Sequence, residues 1–161
     1  AKHLTDEDLA AVGRLPDELA RAEAARFVVD AVRDAAGGDA AFIGNTTFGD
    51  GLPGGEVSRV ALDACVRFDG IICVAEVTGA QLRAWMEQAN QGPETPFAER
   101  EGESLFAVGP DAIDAARKYR VATTDWGMKN RARYFGSADI TFEERPELKL
   151  KAIVAEALKK L

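Results

Sequence analysis

The sequence predicts one mixed α/β (α+β) domain with at least four strands. The chain has 161 residues, of which 47% are hydrophobic and 29% charged, an ordinary composition for a globular domain of this length. Segments with the apolar periodicity of a helix alternate with short apolar runs of strand length. Clusters of glycine and proline separate these segments. The predicted order is helix, strand, helix, strand, helix, two strands, helix, which belongs to the mixed α/β class.

The first predicted elements are a helix over 16–36 and a short buried strand over 40–43. The helix is predicted because apolar residues recur on one of its faces, and Gly37 and Gly38 follow it as a stop signal. Residues 40–43 read Ala-Ala-Phe-Ile. We interpret residues 1–15 as the end of an interdomain linker or an N-terminal extension, and 16–161 as the domain.

The middle of the chain contains the clearest local signals. Ser58 is predicted to cap a short helix that ends near Cys65. A mostly apolar strand is predicted over 70–77. The Thr78-Gly79-Ala80-Gln81 sequence that follows is typical of a capping box. We expect Trp85 to lie in the core, because it shares one face of the capped helix with other apolar residues.

Two more strands and a final helix complete the prediction. Residues 105–108 and 118–124 have the apolar, β-branched and aromatic content of strands. Residues 125–137 are predicted to form a loop. The last helix is predicted to begin near Pro146, because proline is favoured at a first helical position.

Charge and composition exclude several functions. The net charge of −7 disfavours nucleic acid polymers and anionic membranes as partners. The chain has no apolar run long enough to span a bilayer and no secretory signal segment at its start.

Two cysteines, Cys65 and Cys73, are expected to be buried free thiols. The only histidine, His3, is expected to be solvated. This disfavours a histidine-rich metal site and a serine–histidine–aspartate triad, and any catalysis would have to come from carboxylates, lysine or tyrosine.

Two loops with unusual composition are candidates for a binding role. Residues 44–51 are rich in glycine and small hydroxyl residues, so their amides are candidates to face an anion, while the alternative is a plain glycine-rich connection. Phe97 is a large apolar residue in a polar loop. It either attaches that loop to the body of the domain or offers a platform for a flat ligand.

A third loop, residues 125–135, reverses the overall charge of the chain. Between residues 117 and 133 there are six basic residues and one acidic residue. Trp126 precedes Lys129, Arg131 and Arg133, so the loop is a candidate to stack a base or sugar while the cations hold a phosphate. The alternative is a solvated basic loop with Trp126 in the core.

From about residue 11 to 161, the chain resembles the C-terminal domain of the 5'-nucleotidase family. Residues 30–33, Asp-Ala-Val-Arg, resemble the family's Asp-Ala-Met-Arg helix. Residues 52–58 are similar to the stretch that follows its glycine motif. Residues 68–82 echo the family's Phe-Asp-Gly strand and Leu-Thr-Gly-Ala-Gln-Leu, and residues 119–125 resemble its Tyr-Arg-Val-Ala-Thr-Asn-Asp.

The resemblance implies a four-layer α/β/β/α fold and a role in substrate recognition. In that family a separate N-terminal metallophosphatase domain carries the divalent metals and the catalytic histidine, and the C-terminal domain holds a nucleotide or related phosphate ester. Two aromatic side chains sandwich the base, and by position these are Trp126 and Phe97. The family also implies a periplasmic or exported protein. The resemblance therefore implies the N-terminal domain as a partner, and it implies no catalytic residue, metal ligand or cofactor in this chain.

The ligand motifs depart from the family pattern. Asn45, which the resemblance makes a candidate ligand contact, is displaced by one position. Gly49 stands where the family has a ligand-binding arginine, and Ala132 stands where it has an aspartate. We interpret these changes as a movement of positive charge to Lys129, Arg131 and Arg133. Three function classes stay open: a substrate-recognition domain with altered ligand choice, a divergent packing or oligomerisation module, and a self-sufficient enzyme that uses carboxylates. The lack of histidine and metal ligands disfavours the third.

Overall fold

The computed structural model describes residues 4–89, 97, 105–137 and 139–161, so the interpretation of His3 lies outside the described residues. The helices, in chain order, are α1 Asp6–Leu9, α2 Arg21–Ala35, α3 Arg59–Cys65, α4 Gly79–Gln88, α5 Asp125–Lys129, α6 Arg131–Phe135 and α7 Leu150–Lys159. The strands are β1 Ala11–Leu15, β2 Ala40–Gly44, β3 Gly55–Ser58, β4 Ile71–Thr78, β5 Leu105–Val108, β6 Lys118–Thr124 and β7 Glu143–Lys149.

The strands of the described residues form a five-stranded sheet and a two-stranded sheet. The larger sheet has the order β5-β2-β6-β4-β7, and the smaller one pairs β1 with β3. Strand β2 runs parallel to β6, whereas the other pairs are antiparallel. All five residues of β2 are buried, as expected for a strand with a neighbour on each side and covered faces. The mixed α/β class predicted from the sequence is confirmed.

Helices cover both faces of the large sheet and create two apolar clusters. One cluster joins α2, α7, α3 and the small sheet to one face, with Val28, Val57 and Val154 fully buried. The other joins α4 to the opposite face through Leu82, Trp85 and other side chains. The prediction that Trp85 lies in the core is confirmed, since its side chain is 6% exposed. The four-layer order implied by the resemblance stays a prediction.

Several predicted elements are confirmed with small shifts in their ends. The helix predicted over 16–36 begins at Arg21, where the Glu23 carboxylate accepts a hydrogen bond from the Ala20 amide at 3.2 Å. Ser58 caps α3, and the capping box of α4 is present. Both cysteines are free and buried, as predicted. No helix among the described residues is long and apolar enough to cross a membrane.

Strand β1, residues 11–15, was not predicted from the sequence; it pairs with β3, and the division of the chain at residue 16 stays a prediction. Two predictions of local structure are wrong. Residues 125–137 are not a loop, because Thr124 accepts a hydrogen bond from the Gly127 amide and so starts α5. Pro146 lies within β7, not at a helix start. It falls where the pairing of β7 with β4 is irregular, so its missing N–H leaves no gap in a regular ladder.

Candidate functional site

A cavity of about 520 Å³ lies where β2 and β6 end. Thr46 and Thr47 follow β2, and Thr124 and Asp125 end or follow β6, and all four line the cavity. Because β2 and β6 are parallel, their carboxyl ends meet at the same edge of the sheet, the usual place for a ligand site in α/β folds. The segment 67–69, just before β4, completes one wall, and Leu150 at the start of α7 adds an apolar contact.

Two exposed aromatic side chains line this cavity. Phe68 and Trp126 are each 55% exposed, although removal of either ring from water would be favourable. An aromatic pair at one cavity offers two faces on which a flat ligand can stack. The sequence interpretation chose Trp126 and missed Phe68. The available signal was an aromatic residue between two charged ones, Arg67 and Asp69, directly before an apolar strand.

Hydrogen bonds hold both the backbone and the indole ring of Trp126 in position. Its amide donates to Asp125 Oδ1 at 3.0 Å, and its carbonyl accepts from Asn130 Nδ2 at 2.8 Å. Its indole Nε1 donates to the Tyr134 hydroxyl at 3.4 Å. These bonds stay within the basic segment 125–135, which forms α5 and α6. The indole therefore stands at the cavity in a defined orientation while half of it faces solvent.

Backbone hydrogen bonds join the segment that carries Phe68 to the loop after β2. The Arg67 amide donates to the Thr47 carbonyl at 2.8 Å, and the Gly49 amide donates to the Cys65 carbonyl at 2.9 Å. Phe48 and Val66 form an isolated antiparallel bridge. The two loops thus act as one structural unit along the cavity wall.

The loop 44–51 uses three of its amides within the protein, and an anion cradle formed by its other amides stays a prediction. The amides of Phe48, Gly49 and Asp50 donate to backbone carbonyl oxygens. Asn45 does not line the cavity, and its side-chain oxygen accepts from Arg21 at 3.0 Å. Arg21 also donates to the carbonyl oxygens of Asn45 and Phe48. Arg21 therefore stabilises the loop by hydrogen bonds to its oxygen atoms, and the amides of residues 48–50 are bonded to carbonyl oxygens within the protein.

Phe97 lies elsewhere and packs against the core. Its ring stacks on Phe106 of β5 with centroids 5.4 Å apart and an interplanar angle of 21°. The Arg26 guanidinium lies 5.7 Å from its ring centroid. Phe97 is half-buried and is not among the residues that line the cavity. The structure does not bring Phe97 to Trp126 at this cavity, and a role of Phe97 in ligand binding stays a prediction.

Of the three basic residues predicted to contact ligand, only Lys129 lines the cavity. Arg131 donates to the Met128 carbonyl at 3.1 Å, and Arg133 is exposed on α6. The second cation of the cavity is Arg67, which the sequence interpretation did not select. Its guanidinium lies 5.3 Å from the Phe68 ring centroid, within the range of a cation–π contact.

Two carboxylates complete the polar lining, and both accept hydrogen bonds from backbone amides. Asp69 Oδ1 accepts from Gly70 at 2.9 Å and from Lys151 at 3.1 Å, which ties it to the start of α7. Asp125 Oδ1 accepts from Trp126. Within the described part of the chain, no group of three or more histidine, cysteine, aspartate or glutamate side chains is placed to hold a metal ion.

The cysteines offer no thiolate near neutral pH. Burial raises the pKa of the Cys65 thiol to about 11, with a further contribution from Asp50. Burial also raises the pKa of the Cys73 thiol to about 11, aided by Glu144 and Asp125. Since the thiolate is the nucleophilic form, neither residue is an activated nucleophile.

Comparison with known proteins identifies relatives of this fold. The profile of the 5'-nucleotidase, C-terminal domain, matches residues 5–101. A 5'-nucleotidase precursor from Thermus thermophilus superimposes with a TM-score of 0.67 at 13% identity, over 93% of this chain and 36% of that one. A NAD nucleotidase from Haemophilus influenzae gives 0.66 at 15% identity, over 96% of this chain and 36% of that one.

A third solved structure, a sulfate thiohydrolase also from Thermus thermophilus and in complex with glycerol, gives a TM-score of 0.63 at 20% identity, over 96% of this chain and 33% of that one. Identities this low show a shared fold alone. The chain spans about a third of the length of these solved proteins. No curated protein sequence matches the chain.

Proposed function

The chain belongs to the 5'-nucleotidase C-terminal domain family, and on that premise we propose that it is the substrate-recognition domain of a 5'-nucleotidase-like phosphoesterase. In this proposal the domain holds a nucleotide or a related phosphate ester, and a separate N-terminal metal-binding domain hydrolyses it. The chain itself contributes binding groups and no catalytic residue. By the same family argument, we infer that the whole protein is periplasmic or otherwise exported.

The single observation that carries the proposal is the exposure of Phe68 and Trp126 at one cavity. Each ring leaves about half of its surface in solvent, and Trp126 is fixed by three hydrogen bonds. An ordered, exposed aromatic residue needs no rearrangement before it stacks on a planar ring, so little conformational entropy is lost on binding. Nucleobases are planar rings for which such stacking is favourable.

The polar groups of the cavity match the remaining parts of a nucleotide. Asp69 and Asp125 are acceptors for ribose hydroxyl groups, and the threonine hydroxyls are both donors and acceptors. Arg67 and Lys129 supply positive charge for a phosphate group. The cavity volume of about 520 Å³ falls in the range of small-molecule sites.

The proposal is tested by calorimetric titration of the chain with AMP, UMP and a generic aryl phosphate. We expect saturable binding of at least one nucleotide in the millimolar range or tighter. Phe68→Ala and Trp126→Ala are each expected to weaken it by about 5-fold to 100-fold, because stacking on one aromatic ring contributes roughly 1–3 kcal/mol. Leu9→Ala is the control, because Leu9 is 58% exposed and outside the cavity.

Two results would contradict the proposal. One is the absence of binding by every nucleotide at millimolar concentration. The other is unchanged affinity in both aromatic variants. Either result would favour the alternative function, a divergent module that has lost nucleotide binding and serves in packing or oligomerisation.

A further inference from the structure

We propose that Arg67 is the specificity-determining residue that makes this cavity prefer a phosphate-bearing ligand to the matching neutral nucleoside. The inference rests on the proposed function, since it requires that the cavity bind a nucleoside ring. It assigns anion selection to the segment before β4, and not to Lys129, Arg131 and Arg133, which the sequence indicated.

The loop after β2 positions the aliphatic part of the Arg67 side chain, which we call its stem. A Cβ atom placed on Gly49 would lie 3.2 Å from both Cγ and Cδ of Arg67 and would overlap the Ala64 carbonyl oxygen. The Arg67 stem therefore lies against the bare backbone of Gly49. The Arg67 amide bond to Thr47 fixes the same segment through its backbone. A side chain at position 49 would displace both neighbours, so this position is closed to an arginine of its own.

The ring of Phe68 positions the guanidinium group of Arg67, which we call its head. The guanidinium carbon lies 5.3 Å from the Phe68 ring centroid, so the cation and one aromatic wall of the cavity form a contact pair. A guanidinium held at both its stem and its head loses less rotamer freedom when it binds an anion. Its planar fork also matches two phosphate oxygens at once, which an ammonium group cannot do.

The charges around Arg67 leave it available to a ligand. Within the described residues, neither Arg67 nor Lys129 is in an ion pair with a carboxylate. The two carboxylates of the lining, Asp69 and Asp125, already accept hydrogen bonds from backbone amides. In this described part of the chain, two positive groups therefore face the cavity without a partner carboxylate, and Arg67 is the one whose stem packs against the backbone of Gly49.

The other candidate groups for anion selectivity lie outside the cavity, are bonded within the protein, or lack a planar fork. Arg131 donates to the Met128 carbonyl, and neither Arg131 nor Arg133 lines the cavity. The amides of residues 48–50 donate to backbone carbonyls. Lys129 lines the cavity but carries a flexible ammonium group without a planar fork, so we expect it to make a smaller contribution than Arg67.

The test compares AMP with adenosine, which share the base and the ribose and differ in the phosphate. Binding of each to the full chain is measured by calorimetry at low and at moderate salt. For the unaltered protein we expect AMP to bind about tenfold tighter than adenosine, with the advantage shrinking as salt is added. Arg67→Gln keeps a stem against Gly49 and removes the charge. It is expected to abolish most of the AMP advantage and to leave adenosine affinity within about twofold.

Two further variants sharpen the test. Arg67→Lys is expected to restore part of the AMP advantage, because it returns the charge without the fork. Arg14→Gln is the matched control, because Arg14 is exposed on β1 and outside the cavity, and it is expected to bind both probes as the unaltered protein does.

The outcomes separate the two proposals. If adenosine and AMP bind with equal affinity, or if Arg67→Gln keeps the AMP advantage, the role of Arg67 is refuted while nucleoside binding stands. If no nucleotide or nucleoside binds at millimolar concentration, the proposed function fails and the inference fails with it.

Discussion

The hydroxyl of Tyr134 lies 3.4 Å from the indole Nε1 of Trp126. Tyr134 is half-buried against the apolar cluster around α4. Its hydroxyl lies close to Gly44 at the end of β2, where a Cβ atom would come within 3.2 Å of it. An exposed ring at the cavity is thereby tied to the core of the domain through a residue eight positions later in the chain.

Replacement of Tyr134 by phenylalanine is expected to loosen the indole of Trp126 without unfolding the domain. The phenyl ring keeps the packing, and only one partly exposed hydrogen bond is lost, so the stability cost is about 1 kcal/mol or less. The measurement is the ¹H–¹⁵N spectrum of the two tryptophan indole groups and their exchange with solvent.

In that experiment the Trp126 signal should shift and exchange faster. The Trp85 signal is the internal control, because its Nε1 donates to the buried Phe135 carbonyl at 3.1 Å. An unchanged Trp126 signal would show that Tyr134 does not hold the ring.

Alanine substitutions at Phe97 and Phe68 are expected to have opposite effects. Phe97 stacks on Phe106 within the packed face of the sheet, so Phe97→Ala should destabilise the domain by about 1–3 kcal/mol and leave AMP affinity unchanged. Phe68 is 55% exposed, so Phe68→Ala should weaken AMP binding and change stability by about 0.5 kcal/mol or less.

Urea unfolding and calorimetric titration of both variants check this pair of expectations. A loss of AMP binding in Phe97→Ala at full stability would instead support the sequence-based assignment of Phe97 to the ligand.

Loss of the capping box should destabilise α4. Thr78 Oγ1 accepts from the Gln81 amide at 3.2 Å, and Gln81 Oε1 accepts from the Thr78 amide at 3.0 Å. Thr78→Ala leaves the first bond unmade, and we expect a cost of about 1 kcal/mol in the free energy of unfolding. Thr141→Ala, at an exposed position without a cap role, is the control. Equal unfolding midpoints for the two variants would contradict the role of the cap.

The buried cysteines should make stability fall at alkaline pH. Each thiol has an ordinary pKa near 9.0, raised to about 11 by burial in the folded protein. Between these values the unfolded chain releases the proton and the folded chain keeps it. The contribution is therefore fully present below about pH 9 and is lost as the pH rises through 11, by roughly 1–3 kcal/mol for each thiol.

The check is urea unfolding between about pH 8 and 11 for the unaltered protein and for a Cys65→Ala/Cys73→Ala variant. The comparison cancels the titration of lysine and tyrosine. The unaltered protein should lose more stability over this range. Parallel curves would show that the thiols do not control the alkaline limit.

Most secondary structure followed from local patterns. Strands β2, β4, β5 and β6 were predicted because each is a short apolar run next to turn residues, and α4 because its cap and apolar face agree. Strands β1, β3 and β7 were not predicted. Arg14 in β1 and the charged residues of β7 are mostly exposed, so neither strand has the apolar content that distinguishes a buried strand. Edge strands of this kind are recognised from their pairing, which is a property of the assembled sheet.

The sequence by itself determined the fold class, the family and one wall of the cavity, Trp126. These follow from composition, periodicity and the order of short motifs, all of which are readable along the chain. Only the tertiary structure decided the other members of the site. In an extended chain, a phenylalanine or an arginine has the same chemical properties at every position. The sequence alone therefore does not show which of Phe68, Phe97 and Arg67 lines a cavity.

Their roles differ because distant segments surround them differently in the fold. Phe106 buries one face of Phe97, Gly49 makes room for the stem of Arg67, and Phe68 is left exposed at the cavity beside Thr47 and Trp126. The exposure of a side chain is set by whatever packs against it, and these partners come from other strands and loops.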